Sequence, residues 1–339
     1  MTLTASIAGL RPELWRKQLF ADVRDNLFAT KFIGTSAQSM IQELEDLRKE
    51  KGSNISFGFG SKLSGAGITG DSTLEGQEEQ MNDYDEDVAI DQLRHAVRLL
   101  GKMDEKKNAY EMRMNAKARL ADWWAERIDQ ELMDKLCGKT TSTFSNTPTA
   151  AAASRSIFAG GQSSVGALTT AMKMDTKVLD AAKQKAKVTT AGTPMIRPIR
   201  VNGKPYYVVI LHPYSATDLR QDPVWNQAQR DANIRGEENP IFSGALGIYN
   251  GMIIHEHEYV YNTTDGSGSA RVCRNLLCGQ QAGVIAWGAN VQWVEKSFDY
   301  GNSWGISCGA IWGCIKPIFN AIDYGVITMF TAGDVASTA

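Results

Sequence analysis

No run of this chain is apolar for the length of a membrane-spanning helix, and its start, MTLTASIAGLRPELWRK, lacks the basic opening and apolar centre of a secretory signal. The expectation is a protein of the cytoplasm, or of something assembled there, with no membrane partner. Basic excess is missing too: a formal charge of -2 argues against a dedicated nucleic-acid binder. The five cysteines are an odd number without a disulfide framework and read as reduced, buried thiols.

Catalytic signatures are equally scarce. There is no G-x-x-x-x-G-K-[ST] phosphate loop, and neither Cys273 with Cys278 nor Cys308 with Cys314 has C-x-x-C zinc spacing. Gly305-Ile306-Ser307-Cys308-Gly309 has the G-x-S-x-G spacing of a nucleophile elbow. That arrangement needs a histidine downstream, whereas the last one here, His257, lies upstream, and the residues after Gly309 read as strand. His255-Glu256-His257-Glu258 is the best metal candidate. On a strand both histidines share one face, which supplies two ligands and no third at fixed spacing. A metal-dependent enzyme using His255 and His257 stays as a minor alternative; the main reading has no catalytic residue, cofactor or metal and is not an enzyme.

What is present is a set of surfaces. An apolar share of 43% over 339 residues suffices for one large domain or two ordinary ones. The longest helical pattern covers 104–137 and contains neither Gly nor Pro, with Tyr110, Met114, Trp124, Ile128 and Leu132 on one apolar stripe. Asp104 is placed to cap its start and Gly138 to close its end. Such a helix is roughly 50 Å long, which predicts an elongated or plate-like molecule.

Residues 1–52 read as a helical arm. Pro12 suits a first turn, Trp15, Leu19, Val23 and Leu27 follow at four-residue steps, and AQSMIQELEDLRKEKG forms a second helical run. From residue 53 the pattern alternates strictly, with Ile55, Phe57 and Phe59 on one face, and predicts a two-stranded arm over 53–98. Its return run, VAIDQLRHAV, fits strand or helix. Between Asp71 and Asp91 the chain is rich in acids without one base, and from Arg94 to Arg119 the balance swings to Lys and Arg. That run is either a solvated face or an acidic arm that docks on a basic surface of another copy.

After the long helix, GKTTSTFSNTPTAAAASRS reads as a mobile connector. A helix over 175–187 turns Val178, Leu179, Ala182 and Ala186 inward. Beyond Pro194 the chain is mainly β: Asn202-Gly203 marks a tight hairpin, Asp222-Pro223 opens a short helix, and glycine-punctuated strands follow. Helices first and strands afterwards indicate α+β.

The order of GSNISFGFGSKLSGAGITGDSTLEGQEEQM, VAIDQLRHAV with the long helix, IRPIRVNGKPYYVVILHP, DLRQDPVWNQAQ, NPIFSGALGIYNGMIIHEHEYV and FDYGNSWGISCGAIWGCIKPIF with DYGVI resembles the major capsid proteins of tailed bacteriophages. Within these it is similar to the coat protein family of the podophage called N-four. The resemblance implies the Hong Kong 97 capsid fold and divides the chain into an N-terminal arm (1–52), an extended loop (53–98) and a peripheral domain (99–199) containing the spine helix. An axial domain (200–292) and return strands (293–339) follow. It implies neighbour contacts by Phe57, Phe59, Lys62, Leu63, Ile68, Asp71, Leu74, Glu75 and Glu78 of the extended loop. The function implied is a coat protein that self-assembles as pentamers and hexamers into the icosahedral head enclosing double-stranded DNA, without sequence-specific binding. An encapsulin-type nanocompartment of the same fold is the nearest alternative. Scaffold, portal and decoration proteins are the further partners implied, the virion is the location, and assembly takes place in the bacterial host cytoplasm. The capsid-like pattern starts almost at Met1, so a separate scaffold, or an already cleaved form, is expected.

Overall fold

The computed structural model describes residues 22–23, 27–45, 52–60, 67–79, 83–107, 112–190, 193–201, 203–231 and 246–333. The chain begins with β1 (Ile33–Gly34), β2 (Ile41–Leu44), β3 (Asn54–Gly60), β4 (Asp83–Ala89) and β5 (Asp91–Arg98). Then come α1 (Lys102–Lys107), α2 (Met112–Cys137), β6 (Ser156–Phe158), α3 (Thr176–Lys187), β7 (Ile199–Val201) and β8 (Lys204–Leu211). Two short helices, α4 (Pro213–Gln221) and α5 (Pro223–Asp231), lead to β9 (Gly247–Tyr249), β10 (Met252–Glu256), β11 (Asn262–Thr263) and β12 (Val272–Cys278). The end of the chain is β13 (Gly283–Phe298), β14 (Ser303–Ile315), β15 (Ile318–Phe319), β16 (Ile322–Asp323) and β17 (Val326–Ala332).

Two main sheets result. One has the order β1-β2-β13-β14-β5; the other runs β6-β17-β12-β8-β10-β9, with β11 beside β12 and β7 beside β8. The long helix α2 packs on β14 and β5 of the first sheet and on β12 of the second. Its Leu120, Trp124, Ile128 and Leu132 share one core with Ile285 and Trp312 from one sheet and Val208, Ile210 and Leu276 from the other. The opposite face of the eight-stranded sheet, through Val209, Leu211, Leu277 and Ile327, packs on α3, α4 and α5. Strands covered on both faces lose the alternating pattern, which is why residues 283–287 are buried without a break.

Several expectations hold. Asp175 caps α3 by accepting the Val178 N–H at 2.9 Å, and Val178, Leu179, Ala182 and Ala186 are buried. Asp222 accepts the Val224 N–H at 3.0 Å ahead of α5, and Val201 of β7 pairs with Lys204 of β8 in antiparallel register. Gly138 has φ +70°, and a Cβ there would lie 2.5 Å from the Thr149 carbonyl oxygen.

Others are corrected. The helical run over 37–52 contains β2, which pairs in parallel with β1 and β13. Ile41 is fully buried there, and closing the sheet outweighs helix propensity. The predicted helix 104–137 is described as α1 and α2, with residues 108–111 outside the described part. Asp104 is the third residue of α1, which starts at Lys102, and so does not stand at the cap position. At 26 residues α2 is roughly 39 Å long. Residue 292 falls within β13, and α3 packs on β6 and β17. Residues 1–21, with Trp15 and Leu19, lie outside the described part. Helix α4 escaped the sequence reading, although Pro213 at its first turn and the His212 ring accepting the Tyr214 N–H at 3.2 Å are start signals.

Candidate assembly surfaces

The strands β3 and β4 form the predicted two-stranded arm, in register from Asn54 opposite Ala89 to Gly60 opposite Asp83. Alternation turns Ile55, Phe57 and Val88 onto Val284, Ala286 and Ile315, so the root of the arm is seated on its own subunit. Phe57, expected to face a neighbour, is 5% exposed in that core. Tyr84 meets the Phe319 ring edge-on at 4.4 Å, and the Glu86 carboxylate accepts the Ile318 N–H at 2.9 Å. Burial pushes the Glu86 carboxyl up from its ordinary value, against that hydrogen bond. The return run continues as β5, a strand paired with β14.

A second set of contacts fixes the root to α2. Asn146 accepts the Ala89 N–H at 3.1 Å and donates to the Ala89 carbonyl at 2.9 Å and to that of Cys314 at 3.4 Å. Lys135, buried on α2, donates to the carbonyls of Phe144, at 2.6 Å, and Asn146. Its ammonium pKa is lowered by that burial. Ser142 donates to Glu131 at 2.8 Å, and Phe144 packs on Trp312. The segment after α2 is therefore pinned, where the sequence suggested a mobile connector. The side chains of Ser142, Phe144 and Asn146 are the pins, and no apolar period announces them.

Beyond the root the described residues of the arm are mostly exposed. Asp71, Leu74, Glu75 and Glu78 are exposed and Ile68 is half-buried. Glu78 accepts the Gly76 N–H at 2.7 Å. Lys62, Leu63 and Tyr110 lie outside the described residues; Phe59 and Met114 lie on β3 and α2. Trp124, Ile128 and Leu132 are at most 1% exposed, as their stripe predicts. Elsewhere Tyr300 is fully exposed at the turn between β13 and β14.

The residues with catalytic potential are used for packing. Ser307 lies within β14 and donates to the Val294 carbonyl at 3.3 Å, so no strand-to-helix elbow exists there. His255 and His257 do share one side, where Phe28 packs 4.4 Å from the His257 ring and Phe32 5.2 Å from the His255 ring. Burial lowers the His257 pKa to about 4. An open cleft of about 470 Å³ beside it is lined by Phe28, Asp129, Glu126 and Tyr259. Asp129 accepts the N–H groups of Phe28, at 2.8 Å, and Ala29, at 3.1 Å. No group of three metal-ligating side chains occurs among the described residues. The five thiols are buried, and burial pushes Cys137, Cys308 and Cys314 up to about 12.

The sequence profile described as "Phage capsid protein" matches residues 3–335. A protein of Pseudomonas phage KPP25 named "Major capsid protein" is 32% identical, over 97% of this chain and 96% of its own length. Among solved structures, the capsid of Ralstonia phage GP4 matches with a TM-score of 0.84 at 29% identity, covering 92% of each chain. The capsid asymmetric unit of cyanophage Pam1 matches with a TM-score of 0.75 at 24% identity, over 90% of this chain and 92% of that one.

Proposed function

Because the chain belongs to the phage capsid protein family, we propose that its exposed arm, residues 54–89, is the part that ties one subunit to the next in a phage head. The chain is a major capsid protein of the Hong Kong 97 type and self-associates into the shell of a virion. The matches to phage capsids favour that role over an encapsulin-type compartment.

In this reading α2 is the spine helix, β3 with β4 is the extended loop, the five-stranded sheet belongs to the peripheral domain and the eight-stranded sheet with α3, α4 and α5 to the axial domain. The subunits associate as pentamers and hexamers around double-stranded DNA, assembled in the host cytoplasm with scaffold and portal proteins, and the chain carries out no catalysis. The observation that carries the reading is the arm: its root is buried in its own subunit while Asp71, Leu74, Glu75 and Glu78 are exposed. A two-stranded ribbon is marginal alone in water and needs a surface to lie on. Closure of a shell multiplies modest contacts, so individually weak interfaces give cooperative assembly and errors dissolve before closure.

Deleting residues 65–71 tests this. The expected product is a folded subunit that fails to close shells, seen by electron microscopy and sedimentation; closed particles of normal size would overturn the proposal.

A further inference from the structure

The turn between β9 and β10 consists of Asn250 and Gly251 alone, since Tyr249 pairs with Met252. Both residues are left-handed, at φ 46° and 71°, the conformation that a two-residue hairpin of the Asn-Gly type requires. Asn250 is exposed. The Gly251 carbonyl accepts the Tyr207 N–H at 3.1 Å, which fixes the turn to β8, while the Gly251 N–H meets no acceptor among the described residues. Nothing crowds that nitrogen from the side-chain direction either. Even a Cβ at Gly251 would meet no atom nearer than Lys183 Nζ, at 3.7 Å.

The Asn250 side chain is gripped at both ends by α3, on which Asp180 and Lys183 stand one turn apart. Asn250 Nδ2 donates to Asp180 Oδ1 at 3.1 Å, and the Tyr249 hydroxyl donates to the other carboxylate oxygen at 3.0 Å. The Lys183 ammonium donates to Asn250 Oδ1 and to the Asn250 backbone carbonyl. A cation on the amide oxygen sits where negative charge gathers when a nucleophile adds to the amide carbon. The Gly251 nitrogen is the next backbone nitrogen along the chain, and its attack closes a five-membered ring without any bimolecular encounter.

We propose that Asn250 is a self-modifying site, at which the Gly251 nitrogen attacks Asn250 Cγ while Lys183 holds the charge that develops on Oδ1. The N–Cγ bond forms and the Gly251 proton passes to solvent. The Cγ–Nδ2 bond then breaks, and ammonia leaves with a proton from solvent, giving a succinimide. Water opens that ring to aspartate or isoaspartate. The balance is one water taken up and one ammonia released, with no change of oxidation state. The product alters the joint: a carboxylate replaces the donor that stood 3.1 Å from Asp180, and like charges that close oppose each other. The turn therefore loosens from α3 once and irreversibly. The site belongs to the folded subunit and goes beyond the shell reading; each subunit of a shell carries it, so a particle accumulates the change with age.

Purified protein incubated at mildly alkaline pH tests this, by peptide mass spectrometry with enzymatic methylation of isoaspartate as an independent label. Aspartate and isoaspartate should accumulate at position 250, and no such product should form there in Asn250→Ser. Lys183→Met should slow the conversion about fivefold, and Lys183→Arg, which keeps the cation, should recover most of the rate, with circular dichroism unchanged throughout. An Asn250 that stays intact in the unaltered protein overturns the proposal, as does an equal or faster rate in Lys183→Met. A lasting loss of ammonia that joins the peptides of Lys183 and Asn250 would make the lysine the nucleophile and overturns it equally.

Discussion

The side-chain amide of Asn146 pairs with both backbone polar groups of Ala89, accepting from its N–H at 3.1 Å and donating to its carbonyl at 2.9 Å. One side chain thus substitutes for a neighbouring strand at the point where β4 leaves the arm, and joins it to Cys314 and, through the Asn146 carbonyl, to Lys135 on the long helix. The arm root, the five-stranded sheet and α2 meet there.

Asn146→Ala leaves both groups of Ala89 without that partner in a half-buried place, at a cost of about 1–3 kcal/mol for each group left unsatisfied. Hydrogen exchange should accelerate at residues 88–90, at the end of β4, ahead of β13 and β14. Unchanged exchange at these amides contradicts the pairing.

Gly313→Ala attacks the same junction from the other strand. A Cβ at this position would lie 2.1 Å from the Ala89 carbonyl oxygen, a backbone atom that cannot swing aside. The expected loss is about 1–3 kcal/mol, seen as a lowered urea midpoint of the subunit. Gly161→Ala, where a Cβ has open space but φ is +69°, separates backbone strain from this clash.

How much of this was legible in the sequence depends on where each signal resides. The helix α2, the alternation at Ile55 and Phe57 and the cap at Asp175 are local, because period and capping chemistry are written in neighbouring residues. The conversion of 41–44 to strand and the pinning of 138–152 come from partners far along the chain, Gly283 for Ile41 and Ala89 for Asn146. No local pattern encodes such pairs. The exposed cations of β5 and β13 are half legible: the swing to Lys and Arg after Arg94 is visible in the sequence, but the placement of Lys296 across β14 from Arg98 needs the register of these strands.

Lys316 and Asp323 form an ion pair at 2.7 Å with both side chains 2% exposed, and Asp323 also accepts the Ala152 N–H at 3.1 Å. Lys316→Met alone strands a buried carboxylate and should cost about 3–5 kcal/mol. Lys316→Met with Asp323→Leu should recover part of that loss, which denaturant unfolding of the unassembled subunit will read.

Burial holds the imidazoles of His212 and His257 down at about 4, with the Arg271 guanidinium adding to the effect at His212. An unfolded histidine titrates at about 6.5, so between these values the two histidines bind more protons in the unfolded chain and their contribution to folding stability falls as pH drops. Asp129 acts in the opposite sense. Its carboxyl is raised to about 6 by burial, so it contributes stability at low pH that is lost as pH rises through 6. Relative to the unaltered chain, stability should fall less steeply, or rise more, as pH drops from 6.5 to 4.5 in His257→Gln, and fall more steeply in Asp129→Asn. Equal slopes in all three proteins contradict this assignment.

The most direct test of the central claim is cryo-electron microscopy of particles recovered when this chain is expressed with its flanking genes. The predicted result is a closed icosahedral shell built from this chain, with residues 54–60 and 83–89 rooted on their own subunit and residues 71–79 lying on an adjacent one. A shell built of another chain, or one whose subunits keep residues 71–79 on themselves, would contradict it.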